Sequence, residues 1–270
     1  RGARDATGGI TVDQTANLQA RDAATLGDVS GSEVVINVID GGALVGALDG
    51  DAITLTTGGD TTFSSITGGA LDAIVQNGDL TSTGSVNLTS TLDAVAGNAI
   101  ALADVTADTI AIDAETGSAT LGGLNANTIS VQAETAVLLG EVTGGSASIV
   151  SRSGSLATSG TVALTDTFVA LGQGSVDLNT VTAGDIDILA TNGNLEFASL
   201  TATDGAVVLQ SQDTLELANI TGIGIQATST QGDILSSSPI ATQGTVQLDA
   251  AGSVALVSLT ADALMANALG

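Results

Sequence analysis

The sequence lacks histidine, cysteine, lysine, tryptophan and tyrosine, and it contains one proline and three phenylalanines in 270 residues. Without histidine and cysteine it has no imidazole base, no thiolate nucleophile and none of the usual nitrogen or sulfur ligands of zinc. Without lysine it forms no Schiff base. No run of about 18 apolar residues occurs, so no segment is suited to span a bilayer as a helix. These absences exclude most nucleophilic, redox and zinc-dependent enzymes.

Positive charge is also scarce. Four arginines stand against 29 aspartates and glutamates, which gives a formal net charge of −25. Such a chain repels a phosphate backbone and anionic lipid, so we expect no nucleic-acid partner and no membrane insertion. The chain is nevertheless 43% hydrophobic with a mean hydropathy of +0.43, and its aliphatic residues are spread evenly. We therefore predict a folded protein with a long core rather than a disordered acidic chain.

An aliphatic marker residue, usually followed by a small polar residue, recurs along the chain at a spacing of roughly 19 residues, a period typical of solenoids of stacked repeats. Two intervals are twice as long, and each fits two turns with one marker missing. Threonine follows seven of the eleven markers directly. The markers are Val29, Leu48, Ile66, Val105, Leu124, Val142, Val181, Leu200, Ile220, Ile240 and Leu259.

Within each turn, pairs of aliphatic residues alternate with polar ones, which is typical of strands with one buried face. The first pairs are Ile110 and Ile112, Ile129 and Val131, Ile186 and Ile188, Val207 and Leu209, Ile223 and Ile225, and Val246 and Leu248. We predict that Ile112, Val131, Ile188, Leu209, Ile225 and Leu248 point inward in one stacked column. A second pair follows, such as Leu195 and Phe197, and the marker opens a third short strand.

Glycine, asparagine and aspartate collect between the strands, for example at Asn192 and Gly193. An Asn-Gly pair is typical of a two-residue hairpin, but strands in triplets at a constant pitch favour the corners of a coil. A β-sandwich or a β-propeller is the remaining alternative fold. The left-handed coil repeats its apolar residue every six positions, which this sequence does not. We therefore predict an all-β, right-handed parallel β-helix of about 14 coils, each with three short strands and the period of the markers.

Residues 1–270 are predicted to form a single repeat domain. Leu264 follows Leu259 at the same five-residue offset that separates Ile110 from Val105, so the sequence ends inside a coil. We expect a segment of a longer chain, or a unit whose ends are covered by neighbours. The predicted partners are accordingly further segments of the same long chain and other copies of this segment, end to end.

Several turns resemble the repeats of filamentous-haemagglutinin-type exoproteins from two-partner secretion systems. The turns TADTIAIDAETGSATLGGL (106–124), TAGDIDILATNGNLEFASL (182–200) and ATQGTVQLDAAGSVALVSL (241–259) carry the resemblance. It covers most of the chain, and less clearly residues 1–28 and 143–180. It implies the shaft of a bacterial surface or secreted adhesin, with roles in cell adhesion and biofilm formation. The shaft of that family has no active site whose residues could be carried over.

Paired carboxylates are the main candidates for catalytic or metal-binding residues in this sequence. Asp185 and Asp187, Asp113 and Glu115, Asp49 and Asp51, and Asp104 and Asp108 could act as acid and base, or hold calcium. The alternative is that outward strand positions are simply solvated by aspartate. We favour this alternative and assign no catalytic or cofactor-binding residue. The metal content stays open, with calcium as the one candidate.

The threonines and the phenylalanines are the remaining residues that were considered for a binding surface. The segment TLTTGGDTTF (54–63) hints at a flat threonine array of the kind that binds ice. The threonine after each marker is expected at a corner, and no T-x-T motif is sustained, so strand propensity explains the threonines better. Phe63, Phe168 and Phe197 are predicted to fill the interior, one per turn.

Two functions from different classes fit these observations. The first is the non-enzymatic structural shaft of an exported bacterial surface adhesin or extracellular filament, which places the protein outside the cell or on its surface, with surface glycans or other cells as possible partners. The alternative is a carbohydrate-active or carbohydrate-binding β-helix similar to a polysaccharide lyase or phage tailspike. An enzyme of this fold needs a long loop that builds a cleft, and the constant pitch leaves no room for one.

Overall fold

A computed structural model describes residues 4–270; Arg1 to Ala3, which the predicted repeat domain includes, lie outside the described residues. Within these residues there is no helix, and thus none long and apolar enough to cross a membrane. The chain forms two compact units, Arg1–Glu134 and Thr135–Gly270. In each unit the strand pairings are parallel and link positions about one marker period apart. The predicted all-β parallel solenoid is confirmed.

The first unit contains sixteen strands within its described residues. They are β1 (Arg4–Ala6), β2 (Ile10–Thr11), β3 (Thr15–Ala20), β4 (Ala24–Leu26), β5 (Val29–Ser30), β6 (Glu33–Val38), β7 (Ala43–Thr57), β8 (Thr61–Val75), β9 (Leu80–Ser82), β10 (Val86–Leu88), β11 (Thr91–Ala96), β12 (Ile100–Leu102), β13 (Val105–Thr106), β14 (Thr109–Ala114), β15 (Ala119–Leu121) and β16 (Leu124–Ala133).

The second unit contains eighteen strands. They are β17 (Val137–Leu139), β18 (Val142–Ser151), β19 (Leu156–Thr158), β20 (Val162–Leu164), β21 (Thr167–Gly172), β22 (Val176–Ala183), β23 (Asp185–Ala190), β24 (Leu195–Ala202), β25 (Ala206–Ser211), β26 (Leu215–Leu217), β27 (Ile220–Thr221), β28 (Gly224–Ser229), β29 (Ile234–Ser236), β30 (Ile240–Ala241), β31 (Thr245–Ala250), β32 (Val254–Ala255), β33 (Leu259–Thr260) and β34 (Ala263–Ala268).

Each coil has three sides, as β14, β15 and the start of β16 illustrate. The first side is a strand of about six residues, the second has three residues, and the third begins with the marker. In places two or three sides run on as one strand, as in β7 and β8. Seven first-side segments occur in the described part of each unit, which confirms the predicted 14 coils. The right-handed sense and the single domain over residues 1–270 stay predictions.

The markers stack in register on the third side. In the first unit Leu48 pairs with Ile66, and Val86 lies between Ile66 and Val105. In the second unit Val162 lies between Val142 and Val181. Val86 and Val162 are therefore the two markers missing from the sequence pattern. Asparagine follows Val86 and alanine follows Val162, so neither carries the threonine that follows most of the other markers.

The threonines after the markers belong to strands, which corrects their predicted place at corners. Thr182, Thr201 and Thr221 are in register with one another on the third side. Their markers Val181, Leu200 and Ile220 are buried. Because successive side chains of a strand point to opposite faces, each threonine points outward when its marker points inward.

The predicted inward residues of the first side are all buried. Ile112 pairs with Val131 in the first unit, and Ile188 pairs with Leu209 in the second. The prediction that Ile225 continues the second column is wrong. Ala227 takes that place, between Leu209 and Leu248.

Ile225 occupies the neighbouring inward column instead, between Val207 and Val246. Its predicted strand partner Ile223 lies in the bend before β28 with 53% of its surface exposed. The alternation of residues 223, 225 and 227 is compatible with two registers. The prediction from the sequence uses the register that places the larger Ile223 inward, and this register leaves out the small Ala227. The strand pairing decides the register, and it makes Ile225 the first inward residue, five positions after the marker Ile220, the same offset that separates Ile110 from Val105.

Corners bring the backbones of successive coils very close together. A Cβ on Gly41 would lie 1.2 Å from the carbonyl oxygen of Asp22, so only glycine fits there. Asn219 is the one non-glycine residue with a positive φ, 49°, in the described chain, and asparagine tolerates this conformation better than most residues. Its backbone N–H donates to Ser238 Oγ at 3.0 Å, which ties this corner to the following coil.

We predict that Ile188→Asp destabilises the fold by several kcal/mol, because it places an unpaired carboxylate at a fully buried position. Ile223→Asp is the matched control, since it makes the same replacement at an exposed position of the same unit. Urea unfolding followed by circular dichroism measures both variants. Equal losses of stability in the two variants would show that the assigned register is wrong.

Candidate functional site

Aspartates at the corners bind the backbone of the next coil. In each case one carboxylate oxygen accepts a hydrogen bond from a backbone N–H about one marker period further along the chain. The pairs are Asp28 with Ala47 (2.8 Å), Asp60 with Asp79 (3.0 Å), Asp79 with Ala99 (3.0 Å), Asp104 with Gly123 (2.7 Å), Asp185 with Ala206 (3.0 Å) and Asp233 with Ser253 (2.7 Å). These carboxylates hold coils together, which is a structural role.

Asparagines stack on several of the acidic residues. Asn98 Nδ2 donates to Asp79 Oδ1 at 2.6 Å, and Asn267 Nδ2 donates to Asp249 Oδ1 at 2.7 Å. Asn127 donates to Asp108 in the same way. A neutral donor over a carboxylate replaces the repulsion that a second carboxylate would create at the strand spacing of about 4.8 Å.

The two members of each candidate acidic pair bind or face different groups. Asp185 and Asp187 project from the same face of β23, but Asp185 binds the Ala206 N–H, and Asp187 lies in register between Val169 and Val208. Asp104 and Asp108 stand at opposite ends of β13 and bind different groups of the next coil.

The other two pairs are separated by the path of the strand. Asp49 lies on the third side between Ser30 and Thr67, and Asp51 comes just before the first-side part of β7. Asp113 lies within β14 and Glu115 follows its end. Across residues 4–270, no three carboxylates lie close enough together to hold a metal ion.

The threonine-rich segment 54–63 is partly internal. Thr57 and Thr61 are fully buried, and their hydroxyl oxygens are 2.6 Å apart across the corner. Thr54 lies outward on the first side, in register with Val35 and Asp72. The outward position of Thr54 therefore carries different residues on adjacent coils, whereas Thr62 on the second side is in register with Thr81.

Phe197 departs from the prediction for the three phenylalanines. Phe63 and Phe168 are fully buried, as predicted, whereas Phe197 in β24 is half-buried. Its partner in register, Leu178, is buried, and Leu217 of β26 is buried as well. The fully buried Phe63 occupies the equivalent place on the second side of the first unit, but between the smaller Val45 and Ser82.

Three carboxylates line the surface beside this ring. Asp177 is in register with Glu196 on the second side, and the pairing of Leu195 with Leu215 places Glu216 on the following coil. All three are exposed. Two shallow hollows of about 440 and 310 Å³ share Glu196 and Phe197 as lining residues. We call the surface formed by Asp177, Glu196, Phe197 and Glu216 the Phe197 groove.

The Phe197 groove was missed because each of its residues fits the strand pattern on its own. Leu195 and Phe197 alternate like an inward pair, so the pattern gives no sign that the ring is exposed. The acidic column does leave a signal in the sequence. Asp177, Glu196 and Glu216 follow one another at the marker period, so an alignment of the coils would have placed them together.

The pKa values of two aspartates are lowered by these contacts. The Ser253 backbone N–H, helped by the Ser253 hydroxyl, lowers the pKa of Asp233. The side-chain amide of Gln247, followed by that of Asn267, lowers the pKa of Asp249. In both residues the folded state favours the ionised carboxylate, so the stabilisation is present above the unfolded pKa and is lost as pH falls through the folded value.

We predict that Asp233→Asn is less stable than the wild type at neutral pH, because the charge-assisted hydrogen bonds to Ser253 are weakened. The difference should shrink as pH falls below the ordinary aspartate pKa towards the lowered pKa of folded Asp233, where the wild-type carboxylate takes up a proton. Unfolding in urea between pH 7 and pH 3 measures it. Asp72→Asn is the control, since it removes the same charge from an exposed residue that faces Asp93 in the neighbouring coil. A difference between wild type and Asp233→Asn that does not change with pH would contradict the assigned role.

Comparison with known proteins places these coils in one family. The sequence model of the family described as Toastrack DUF4097 matches residues 108–267. No curated protein and no solved structure matches the chain. Because the family match spans more than half of the chain, the protein belongs to the Toastrack DUF4097 family.

Proposed function

We propose that this chain is the non-enzymatic structural shaft of an exported surface adhesin or extracellular filament, of the type found in filamentous-haemagglutinin exoproteins. The observation that carries the proposal is the even pitch of the coils. Successive third-side residues keep the marker period from Val29 to Leu124 and from Val142 to Ile220. Connections between consecutive strands are one to four residues long.

Short connections support a structural role over an enzymatic one. A β-helix that acts on a polysaccharide needs loops long enough to wall a cleft and to bring acid and base together on the substrate. Here the acidic residues at the corners are occupied in holding successive coils together. A shaft needs only this regular stacking.

The charge supports a location outside the cell or on its surface. A net charge of −25 keeps an extended molecule soluble and limits non-specific association. The outward residues of the sheets are largely small and polar, which suits a molecule whose entire length faces water. Surface glycans and other cells are the partners that such a shaft would serve, through the domains it carries.

We expect the protein with its native flanking sequence to be exposed at the cell surface or secreted. Epitope-tagged protein would be followed by protease treatment of intact cells, with a cytoplasmic protein as the control for lysis. Digestion of the tagged protein while the control stays intact supports the proposal. Tagged protein that is cleaved only after lysis, with none in the medium, would overturn it.

The last strand suggests how segments of this kind meet. β34 pairs with β31 along one edge, and all six of its residues are exposed. Leu264 and Met265 each expose about half of their surface, 51% and 52%. An open strand edge beside an apolar surface recruits another strand, so we propose that a strand from a second copy covers it.

In the 270-residue polypeptide this edge should drive end-to-end association, which increases with salt because salt screens the negative charge. Sedimentation velocity at low and high salt measures it. Leu264→Lys should shift the population towards monomer, because a charge then lies where the next coil would stack. Ile39→Lys is the control at an exposed apolar residue away from β34. A monomer at high salt and high concentration would refute the proposal.

A further inference from the structure

The dipeptide Asn-Gly occurs twice in the chain, as Asn77 and Gly78 in the first unit and as Asn192 and Gly193 in the second. Both dipeptides lie at the same corner of a coil, after the first side and just before the second side, which begins with β9 in one case and with β24 in the other. In both, the asparagine is exposed and the glycine is buried. The two corners are therefore a matched pair with identical reactive groups.

An asparagine followed by glycine is able to lose its side-chain amide without any enzyme. The backbone nitrogen of the glycine attacks the side-chain carbonyl carbon of the asparagine, and the new C–N bond closes a succinimide ring. The side-chain nitrogen leaves as ammonia and takes the proton of the glycine N–H. Water then opens the ring at one of its carbonyls, which gives aspartate or isoaspartate. Glycine favours the attack because it has no Cβ to obstruct the approach of its nitrogen.

The contacts of the two asparagines differ. Asn192 donates twice to Gln173 on the preceding coil, from its backbone N–H to the carbonyl oxygen at 2.9 Å and from Nδ2 to Oε1 at 3.2 Å. Within residues 4–270, Asn77 makes neither contact, and its side-chain amide has no hydrogen-bond partner. The side chain of Asn77 is therefore free to turn its carbonyl carbon towards the nitrogen of Gly78, whereas that of Asn192 is held against Gln173.

We propose that Asn77 deamidates spontaneously in the folded protein, whereas Asn192 is protected by its contacts with Gln173. The reaction needs no reactant other than water, so it proceeds wherever the protein is kept in solution. It adds negative charge to one corner of the first unit and leaves the equivalent corner of the second unit unchanged.

The products change the corner to which Asn77 belongs. Aspartate adds a negative charge next to Asp79, whose N–H binds Asp60 Oδ1 at 3.0 Å, and isoaspartate also inserts a methylene group into the main chain. A Cβ on Gly78 would already lie 2.3 Å from the backbone nitrogen of Asp60, so this corner has no room for a longer main chain. Isoaspartate therefore displaces the Asp79 N–H from Asp60 and weakens the contact between the two coils.

Mass spectrometry of the folded protein, aged in mildly alkaline buffer, tests the proposal. An endoproteinase that cleaves before aspartate releases residues 72–78 and 187–203 as separate peptides, so each asparagine is followed in its own peptide. We expect deamidation at Asn77 to be about tenfold faster than at Asn192, because the hydrogen bonds of Asn192 have to open first. In urea the two rates should become similar, because the contacts with Gln173 are lost. Equal rates in the folded protein would overturn the proposal.

Gln173→Ala is the reciprocal variant, since it removes the oxygen that accepts the Nδ2 hydrogen bond of Asn192. We expect it to increase deamidation at Asn192 by about fivefold and to leave the rate at Asn77 unchanged. Circular dichroism confirms that the variant is folded. An unchanged rate at Asn192 would show that the side-chain contact does not control the reaction, and would contradict the proposal.

The stability of the aged protein provides a second readout. Wild-type protein in which residue 77 has been converted should unfold at a lower urea concentration than fresh protein, because the contact between Asp60 and Asp79 is weakened. Asn77→Gln is the control, since it keeps an amide but its longer side chain closes a ring far more slowly, and its unfolding should not change with ageing. Equal shifts in the wild type and in Asn77→Gln would show that the loss of stability arises elsewhere, and would refute the assigned site.

Discussion

The stacking of each coil on the next is the constraint on which the rest of the structure depends. Backbone N–H groups donate to carbonyl oxygens of the neighbouring coil, for example Ile100 to Ser118 and Leu80 to Ala99, both at 2.9 Å. Because the strands are parallel and the period is nearly constant, each side chain meets the side chains one period before and after it. Every position therefore has to suit a stack of similar residues. Aliphatic residues and small polar residues do so at most positions, and the rings of Phe63 and Phe168 are fully buried beside the smaller Val45 and Ala147.

Charge is the hardest component to place in such a stack. With 29 acidic residues and four arginines, ion pairs such as that of Arg21 with Asp40 can neutralise only a few carboxylates. The corners provide the alternative, because aspartates there accept backbone N–H groups from the next coil. Asparagines above aspartates extend the same solution to strand positions. The acidity of the chain is thus partly a consequence of how its corners are built.

The fold could be predicted from the sequence because the constraint repeats. The marker spacing indicated the solenoid and the number of coils, and the structure supplied Val86 and Val162 where the pattern had gaps. Errors arose where one coil departs from the average. Ile223 mimics an inward residue, and Ala227, which takes the inward place, is too small to stand out.

The Phe197 groove could not be predicted in this way. The exposure of Phe197 depends on its neighbours in register on adjacent coils, such as Leu178, and alternation along one strand does not show which residues these are. The acidic column of Asp177, Glu196 and Glu216 could have been predicted from the sequence, but only by comparing residues one marker period apart. Pattern analysis within single strands therefore recovers the core and misses the surface, whose neighbours belong to different coils.

A comparison of the second side in the two units shows which of its residues the fold requires and which can vary. In the first unit the outward residues of the second side are uncharged from Thr25 to Thr120 and follow the exposed Asp5, whereas the second unit carries Asp177, Glu196 and Glu216 on this side. The inward residues of this side are buried aliphatics in both, such as Leu121 and Leu178. The core therefore places no demand on the outward residue of this strand. Outward residues that the core does not constrain can vary without weakening the stack of coils. Carboxylates in adjacent coils repel one another, and this repulsion is reduced only when their negative charge is neutralised.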